Sequence, residues 1–249
     1  LFYLKITESG SELWTYSDDA GSGRYLTTLP SDFRVSPLRV ASLGTRHIVA
    51  FERTSLVWST DGTPGGTITL NSPEEASQAF QLVPKRDPLL PIPGGRVLFE
   101  AERVDVGREL WTTDGTREGT QPLRDFAPGV ANSSVKVLDI FGDQVILIVK
   151  TPDTSSFWST DGTPQGTREF ETSLDVDSIP LQTGFRWMGT SKRSTVFIVG
   201  RGYDERLGIT DGTEAGTFLL PTPKGNIQDL GTISDKLLLV LRDREAETD

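Results

Sequence analysis

A motif of twelve residues returns along the whole chain at intervals of about 50 residues, and no other feature restricts the fold as strongly. The most complete copy, at 109–120, reads ELWTTDGTREGT. The other copies are LVWSTDGTPGGT at 56–67, SFWSTDGTPQGT at 156–167, RLGITDGTEAGT at 206–217 and a worn copy, ELWTYSDDAGSG, at 12–23. Self-similarity at a fixed period predicts an architecture built from one repeated structural unit.

The segments between the motifs follow one order, which is clearest in the fourth unit. Apolar runs at 134–142, 144–150, 155–160 and 166–171 predict four strands, which we name a, b, c and d. Strand b recurs as HIVAFE, RVLFEAE, TVFIVG and KLLLVL. The predicted turns between strands a and b are Gly44–Thr45, Gly94–Gly95, Gly142–Asp143, Gly189–Thr190 and Gly231–Thr232. Turn residues between short β-rich runs predict antiparallel strands in series, and helix should be nearly absent.

Four strands in about 50 residues are typical of a β-propeller blade, because radial stacking covers sheet faces that one small sheet leaves exposed. We therefore predict an all-β fold: a β-propeller of four-stranded antiparallel blades, with five repeats in one domain over 1–249. An all-β solenoid is the alternative, although its repeats are usually shorter. The chain opens with a strand b and ends with strands a and b, so a ring of five blades leaves one strand b without a slot. The blade number stays open, and an unpaired edge indicates a missing segment or a partner that supplies strands.

Composition excludes several classes of function. The 249 residues include 25 Lys and Arg and 35 Asp and Glu, and the net charge of -10 argues against nucleic acid as a partner. Without Cys and with one His, the chain cannot form disulfides, thiolate metal sites or His-rich metal sites. No stretch approaches the ~20 apolar residues that span a bilayer. The start lacks an initiator Met and signal-peptide features, so we expect a processed form or an excerpt of a longer repeat array.

The aromatic residue of strand c is the first candidate site residue of the motif. It occurs as Trp14, Trp58, Trp111 and Trp158. A Trp at one fixed place in each unit predicts packing between blades, with ligand stacking as the alternative. The fifth copy has Gly208 at this place, and we expect Trp187 on strand a to fill the gap.

The aspartate of the DGT turn is the second candidate. It occurs as Asp61, Asp114, Asp161 and Asp211. An Asp in this context predicts an Asx turn, in which its carboxylate accepts a hydrogen bond from the backbone N–H two residues on. The first Gly supplies a positive φ, and the second Gly–Thr pair is expected to let the chain enter strand d. Structural calcium is the alternative, but calcium takes about six to eight oxygens and each loop carries one core Asp.

The copy at 109–120 matches the bacterial ELWxxDGT repeat in full, and the copies at 56–67 and 156–167 match it from the Trp onward. The chain resembles this family through all five copies. The resemblance implies an exported or cell-surface protein, of a kind found especially in myxobacteria and other large-genome bacteria. It implies no activity, because the family has no agreed catalytic residues. The first copy has an insertion around Ser17–Asp18 and the fifth lacks the Glu and Trp, which argues against five equivalent ligand sites.

Strand a supplies the candidate ligand-binding residues outside the motif, because the innermost strands of a propeller line its channel. The position three residues before the a–b turn glycine holds Ala41, Pro91, Asp139, Arg186 and Gln228, and Asp229 follows one place later. We expect Asp139, Arg186 and Gln228 to line one level of a channel, and Asp229 is a further candidate ligand-binding residue beside it. They would serve as solvated polar residues, a glycan site or an acid pair for glycoside hydrolysis. We expect the lone His47 to be structural or exposed to solvent.

These observations favour a non-catalytic protein-interaction or scaffolding module of an exported or cell-surface bacterial protein. A rigid frame that presents many loops suits a protein partner, and the acidic balance suits a basic or neutral one. A lectin-like glycan binder is the alternative, and a carbohydrate-active enzyme centred on the channel is a lower alternative. We expect no catalytic residues, no cofactor and no membrane span.

Overall fold

The computed structural model describes residues 1–8, 10–17, 21–29, 38–51, 57–71, 81–82, 89–172, 185–191, 194–199, 205–220, 226–233 and 236–242. Within these ranges the chain is all-β, as predicted, and contains no helix. The strands are β1 (Phe2–Thr7), β2 (Gly10–Ser17), β3 (Ser22–Thr28), β4 (Leu38–Leu43), β5 (Arg46–Phe51), β6 (Val57–Thr60), β7 (Ile68–Thr69), β8 (Gln81–Leu82), β9 (Leu90–Ile92), β10 (Arg96–Arg103), β11 (Gly107–Thr113), β12 (Gln121–Pro122), β13 (Ser134–Phe141), β14 (Gln144–Lys150), β15 (Ser155–Thr160), β16 (Arg168–Phe170), β17 (Phe185–Ser191), β18 (Ser194–Val199), β19 (Arg206–Thr210), β20 (Phe218–Leu219), β21 (Asn226–Ile233) and β22 (Lys236–Arg242).

The strands form six antiparallel sheets, which we number in chain order. Sheet 1 contains β1 to β3, sheet 2 β4 to β7, sheet 3 β8 to β12, sheet 4 β13 to β16, sheet 5 β17 to β20 and sheet 6 β21 and β22. Sheets 2, 4 and 5 have four strands that pair in the order of the sequence, so each is the predicted series a, b, c, d. Sheet 1 begins with a strand b, and sheet 6 consists of strands a and b.

Sheet 3 differs from the predicted pattern by one strand. Its strand b, β10, pairs with β9 at its beginning, where Arg96 lies opposite Ile92. Near its end β10 pairs with the short strand β8, where Ala101 lies opposite Leu82. Strand β8 was not predicted, because two residues carry no periodicity.

The predicted a–b turns are correct in three repeats and wrong in two. Gly44 and Gly142 have φ of 61° and 59° and lie between paired strands, and Gly94–Gly95 also forms a turn. Gly189 instead lies inside β17 opposite Val196, and Gly231 lies inside β21 opposite Leu238. A β-bulge precedes each of these two glycines, and both strands continue beyond them to Ser191 and Ile233. A glycine inside a strand often marks a bulge, and here it was mistaken for the turn itself.

Two compact units divide the chain: Leu1–Ser134 with Gly162–Pro164, and Val135–Asp161 with Gln165–Asp249. The prediction of one domain over 1–249 therefore stays a prediction. In the first unit, one buried cluster joins sheets 1 and 2, and it contains Leu13, Leu26, Leu29, Val49 and Trp58. A second joins sheets 2 and 3, and it contains Ala41, Ile48, Ala50, Val57, Leu70, Leu89, Val97, Phe99, Ala101 and Trp111. In the second unit, Leu138, Ile146, Ile148, Phe157 and Phe197 form a buried cluster of sheets 4 and 5.

Side-chain alternation explains why strand b is a continuous apolar run. In β5, Val49 joins the cluster with sheet 1, whereas Ile48 and Ala50 join the cluster with sheet 3. Successive side chains of a strand point to opposite faces, so a strand covered on both faces needs apolar residues at every position.

Candidate functional site: the DGT corner and its surroundings

The DGT corner connects strand c to strand d through a closed set of hydrogen bonds. In the second copy, Thr63 donates from its backbone N and from Oγ1 to Asp61 Oδ1, at 2.9 and 2.7 Å. This is the Asx turn. Gly66 N donates to Thr63 Oγ1 at 3.0 Å, and Thr67 Oγ1 donates to the carbonyl of Thr63 at 2.6 Å. The carboxylate and both hydroxyl groups are therefore bonded within the corner.

A threonine pair joins the two strands at the base of the corner. Thr60 and Thr67 share a hydrogen bond of 2.7 Å between their hydroxyl groups, and Gly62 N donates to Thr60 Oγ1 at 3.0 Å. Because the proton of Thr67 goes to the carbonyl of Thr63, Thr60 donates in the shared bond. The pair recurs as Thr113–Thr120, Thr160–Thr167 and Thr210–Thr217, at 2.7, 2.7 and 2.6 Å.

The corner requires glycine at two positions, for two different physical reasons. The first has a positive φ in every DGT copy, of 85°, 87°, 86° and 84° at Gly62, Gly115, Gly162 and Gly212. The second is required by space. A Cβ at Gly66 would overlap the carboxylate of Asp61, and the same overlap arises at Gly119, Gly166 and Gly216. This steric reason adds to the expectation that the second Gly–Thr pair lets the chain enter strand d, and β7 begins at Ile68, directly after Gly66 and Thr67.

Hydrogen bonds lower the pKa of two corner carboxylates, those of Asp61 and Asp114. The Thr63 hydroxyl and backbone N–H lower the pKa of Asp61. Burial raises the pKa of Asp114, but the hydrogen bonds from Thr116 and the Arg96 guanidinium, 3.8 Å away, outweigh it and lower that pKa.

In the first compact unit, the DGT corner of sheet 3 also contacts sheet 2. A Cβ at Gly115 would lie 3.1 Å from Leu43 and 3.2 Å from Ser59 Oγ, both on sheet 2. Arg117 donates from Nε to the carbonyl of Thr69 at 2.7 Å, and from a terminal nitrogen to Thr69 Oγ1 at 3.0 Å. The corner thus positions one sheet against the next.

The motif tryptophans lie between sheets in the first unit. Trp58 and Trp111 are 2% and 1% exposed and belong to the two clusters described above, so they offer no ring face to a ligand. Trp158 is also buried, and its Nε1 donates to Ser156 Oγ at 2.7 Å. Trp14 is partly exposed, and its Nε1 donates to Glu12 Oε2 at 2.8 Å.

The place of the missing fifth tryptophan is covered by a neighbouring strand. A Cβ at Gly208 would overlap the ring of Phe197, which lies directly opposite on β18. The ring of Phe197 lies 6.0 Å from that of Phe157. Trp187, expected to fill this gap, lies opposite Phe197 on β17, but its side chain is outside the described residues.

The sequence reasoning missed a buried carboxylate in the most complete copy. Glu109 is 0% exposed. Its Oε1 accepts a hydrogen bond from Ala127 N at 3.1 Å, and its Oε2 accepts one from Ser133 Oγ at 2.6 Å. Burial raises the pKa of Glu109 to about 6. Glu109 anchors the segment between β12 and β13, and the available signal was an acid directly before the apolar pair Leu110 and Trp111 of strand c.

The channel level expected on strand a stays a prediction, and the pairing with strand b places several of its positions. Ala41 and Pro91 lie opposite the third and second residues of their strands b, Ile48 and Val97. Arg186 and Asp229 lie opposite the fifth residues, Ile198 and Val240. The glycines from which Arg186 and Gln228 were counted, Gly189 and Gly231, lie inside β17 and β21, after a bulge.

Asp139 is the predicted channel residue whose side chain is described. It accepts hydrogen bonds from the hydroxyl of Thr195 and from the backbone N–H of Ile140, the latter at 2.7 Å. The side chains of Arg186 and Gln228 lie outside the described residues. His47 is partly buried, with Nδ1 3.4 Å from Ser42 Oγ and its ring 5.1 Å from that of Phe2.

A cavity of about 220 Å³ lies beside β15 and β16 in the second unit. Its lining residues are Ser155, Ser156, Phe157, Glu169, Phe170, Glu171 and Thr172. In the part of the chain that the structure describes, no group of three or more His, Cys, Asp or Glu is placed to hold a metal ion. Nor does any described segment form a helix of the length and apolarity needed to cross a membrane.

No family model matches the chain, and no curated protein matches it in sequence. Its backbone is similar to several solved structures. TolB from Acinetobacter baumannii is 12% identical with a TM-score of 0.40, and the match covers 90% of this chain and 52% of TolB. PorZ, a surface component of the type-IX secretion system of Porphyromonas gingivalis, is 12% identical with a TM-score of 0.42, covering 87% and 27%. A GH74 xyloglucanase from Xanthomonas campestris is 13% identical with a TM-score of 0.41, covering 88% and 36%. The chain thus spans about half the length of TolB and about a quarter of PorZ.

Proposed function

We propose that the chain is a β-propeller array of ELWxxDGT repeats that serves as a non-catalytic protein-interaction or scaffolding module. We further propose that it belongs to an exported or cell-surface bacterial protein and uses no cofactor. The location rests on the resemblance of the repeats, and the role rests on how the repeated residues are used.

The internal use of the motif is the observation that carries this proposal. The Asp61 carboxylate and the hydroxyl groups of Thr60, Thr63 and Thr67 bond within their own corner. Trp58 packs between two sheets. A motif whose functional groups all serve its own fold builds a frame, and binding is then left to the segments that differ between repeats.

The packing of the sheets supports the propeller. Sheets 2, 4 and 5 are four-stranded antiparallel series, and in the first unit three consecutive sheets pack face on face. Stacked small sheets of this kind are what a propeller requires.

A capture experiment tests the interaction role. The chain is immobilised and exposed to envelope extract of its source organism, and the retained material is identified by mass spectrometry. We expect one protein at a fixed ratio to the chain, displaced by excess free chain and absent from a column carrying heat-unfolded chain. Retention of nothing beyond the unfolded control would contradict the proposal.

The cavity beside β15 and β16 favours a second candidate, a glycan-binding role. Two carboxylates, Glu169 and Glu171, lie beside Ser155 and Ser156, and carboxylate and hydroxyl groups are suited to sugar hydroxyls. Titration with envelope oligosaccharides tests it by calorimetry. Binding that is lost in Glu169→Gln and kept in Glu118→Gln, an exposed corner residue, would favour the glycan.

A further inference from the structure

The chain between β12 and β13 forms a loop of residues 123–133, which we call the strap and which contains no helix or strand. At its beginning, Leu123 N donates a hydrogen bond to the carbonyl of Leu110 at 2.8 Å. At its end, Ser133 N donates to the carbonyl of Arg108 at 2.9 Å. The two carbonyls belong to the neighbours of a single residue of β11, so the strap is a closed surface loop of the Ω type over that residue.

That residue, Glu109, holds the strap from its inner side. The Glu109 side chain is 0% exposed. Its Oε1 accepts a hydrogen bond from Ala127 N in the middle of the strap, and its Oε2 accepts one from Ser133 Oγ at the end. Phe126 is also buried, whereas Val130 is 72% exposed. The strap thus has a buried inner side, which is bonded to one carboxyl group, and an outer side in contact with solvent.

Among the described residues, the charged groups near Glu109 do not supply a cationic partner for its carboxylate. On the strap, Asp125 adds a second negative charge. On β11, Arg108 donates from Nε to a strap carbonyl at 3.3 Å, and on β10, Arg103 is paired with Asp105. The other described charged or titratable residues of β10, the strap and the facing strands of sheet 2 are Arg96, Glu100, Glu102, Arg124, Arg39, Arg46 and His47. Because burial disfavours the ionised form, the pKa of Glu109 is raised to about 6.

We propose that the strap is a latch set by pH, which stays closed while Glu109 is protonated and opens more readily once Glu109 is ionised. A protonated carboxyl group keeps both contacts, because its hydroxyl group donates to Ser133 Oγ while the other oxygen still accepts from Ala127 N. An ionised carboxylate is opposed by burial and gains hydration when the strap lifts. Opening brings Phe126 into solvent without separating any strand. This inference goes beyond the proposed function, because strap opening is measured on the chain alone.

Proton linkage gives the direction and the size of the effect. With the strap closed the pKa of Glu109 is about 6, and with the strap open the carboxyl group returns to its ordinary value of 4.5. The closed strap binds the proton more tightly, so closure is favoured most below pH 4.5 and is weakened as the pH rises through 6. Each pKa unit is a factor of ten, so the open population should rise by about 30-fold.

Amide hydrogen exchange followed by mass spectrometry tests the latch from about pH 4 to about pH 8, with rates converted to protection factors that remove the chemical effect of pH. In the wild-type chain, we expect the protection of the strap amides to fall about 30-fold over this range. At each pH it should stay at least about tenfold below the protection of residues 97–101 in β10, because the strap opens locally. In Glu109→Gln, strap protection should stay at the acid level of the wild-type chain, because no carboxyl group titrates.

Two further variants should move the midpoint of this fall in opposite directions, which a residue that only packs would not do. Asp125→Asn removes a negative charge that raises the pKa of Glu109, so the midpoint moves to lower pH. Ser133→Ala removes a hydrogen bond that lowers this pKa, so the midpoint moves to higher pH. The matched control is Glu118→Gln, at an exposed residue of the same sheet, and it should follow the wild-type chain.

Three outcomes would overturn the proposal. Equal protection of the strap and of residues 97–101 would mean that the strap opens only when the whole fold unfolds. A pH-dependent fall that persists in Glu109→Gln would assign the effect to another group. Midpoints that Asp125→Asn and Ser133→Ala both leave in place would also exclude the latch. These two variants keep the test decisive if thermal melts show that Glu109→Gln does not fold.

Discussion

Gly66 shows how a single missing side chain fixes the corner, because a Cβ there would overlap the Asp61 carboxylate. We expect Gly66→Ala to lower the free energy of unfolding by about 1–3 kcal/mol, the usual cost of overpacking. Chemical denaturation measures it. The adjacent Gly65 has nothing within 4 Å of a Cβ, so Gly65→Ala should change stability by no more than about 0.5 kcal/mol. Equal losses in the two variants would contradict the steric account.

Glu109 makes stability depend on pH. Its pKa is raised from 4.5 to about 6 by burial, so between these values the folded chain holds a proton that the unfolded chain has released. The stabilisation is fully present below pH 4.5 and is lost as the pH rises through 6. A shift of this size corresponds to about 2 kcal/mol.

The wild-type chain loses this stabilisation as the pH rises from about 4 to about 8, whereas Glu109→Gln has no carboxylate to titrate. We therefore expect the free energy of unfolding of Glu109→Gln to rise by about 2 kcal/mol relative to that of the wild-type chain over this range. Urea denaturation at a series of pH values measures this difference, with Glu118→Gln as the matched exposed control. A difference that does not change with pH would show that Glu109 titrates alike in the folded and unfolded chain.

Residue chemistry was partly readable in the sequence. The Asx turn at Asp61 could be predicted because the Asp carboxylate commonly accepts a hydrogen bond from the backbone N–H two residues on. The positive φ of Gly62 could be predicted because the turn requires it. The need for Gly66 did not follow, because it arises from an overlap with a side chain five residues earlier. The burial of Glu109 depends on the segment that contains Ala127 and Ser133, which are distant in sequence and donate hydrogen bonds to its carboxylate. Local sequence patterns do not report such contacts.

At the scale of elements, one motif position has two environments. Trp111 is buried among the residues of sheets 2 and 3, whereas Trp14 is partly exposed on sheet 1. We expect Trp111→Ala to cost about 3–5 kcal/mol, as for other buried aromatic residues. We expect Trp14→Ala to cost about 1 kcal/mol. Thermal and urea unfolding of both variants measure this; similar losses would mean that the two residues are equally buried in solution.

Strand order was predictable, whereas strand register was not. The fourth unit was predicted as four strands and forms β13 to β16 in that order, because apolar runs and turn residues alternate clearly there. The register of β17 and β21 was not predicted, because one bulge residue shifts every later pairing. The first copy, which departs from the motif, also has a longer strand d. Its strand d, β3, has seven residues, whereas the strands d named β7, β12 and β20 have two each.

For the whole molecule, the alternative of structural calcium has a direct test. Asp61 Oδ1 is already bound by two donors of Thr63, so we expect a chelator to leave the melting temperature unchanged. Calorimetry with and without EDTA checks this. A fall in the melting temperature that added calcium reverses, but magnesium does not, would show that the corners hold calcium.

At the scale of the whole molecule, the repeat predicted the all-β class and the four-stranded series that sheets 2, 4 and 5 form, because spacing and turn chemistry are local. The number of blades stays a prediction, because local patterns do not report how a ring closes.

The DGT corner also bears on chemical ageing. Among Asp–X bonds, Asp–Gly is the one in which the following backbone nitrogen most readily attacks the side-chain carboxyl carbon of the Asp. Water leaves, and the resulting succinimide is hydrolysed to aspartate or isoaspartate. The chain contains four such bonds, at Asp61, Asp114, Asp161 and Asp211. In the second copy the nitrogen of Gly62 is bound to Thr60 and the carboxylate is bound to Thr63, so neither is free to rotate into attack. A sequence that looks prone to spontaneous damage is thus protected for as long as its corners stay folded.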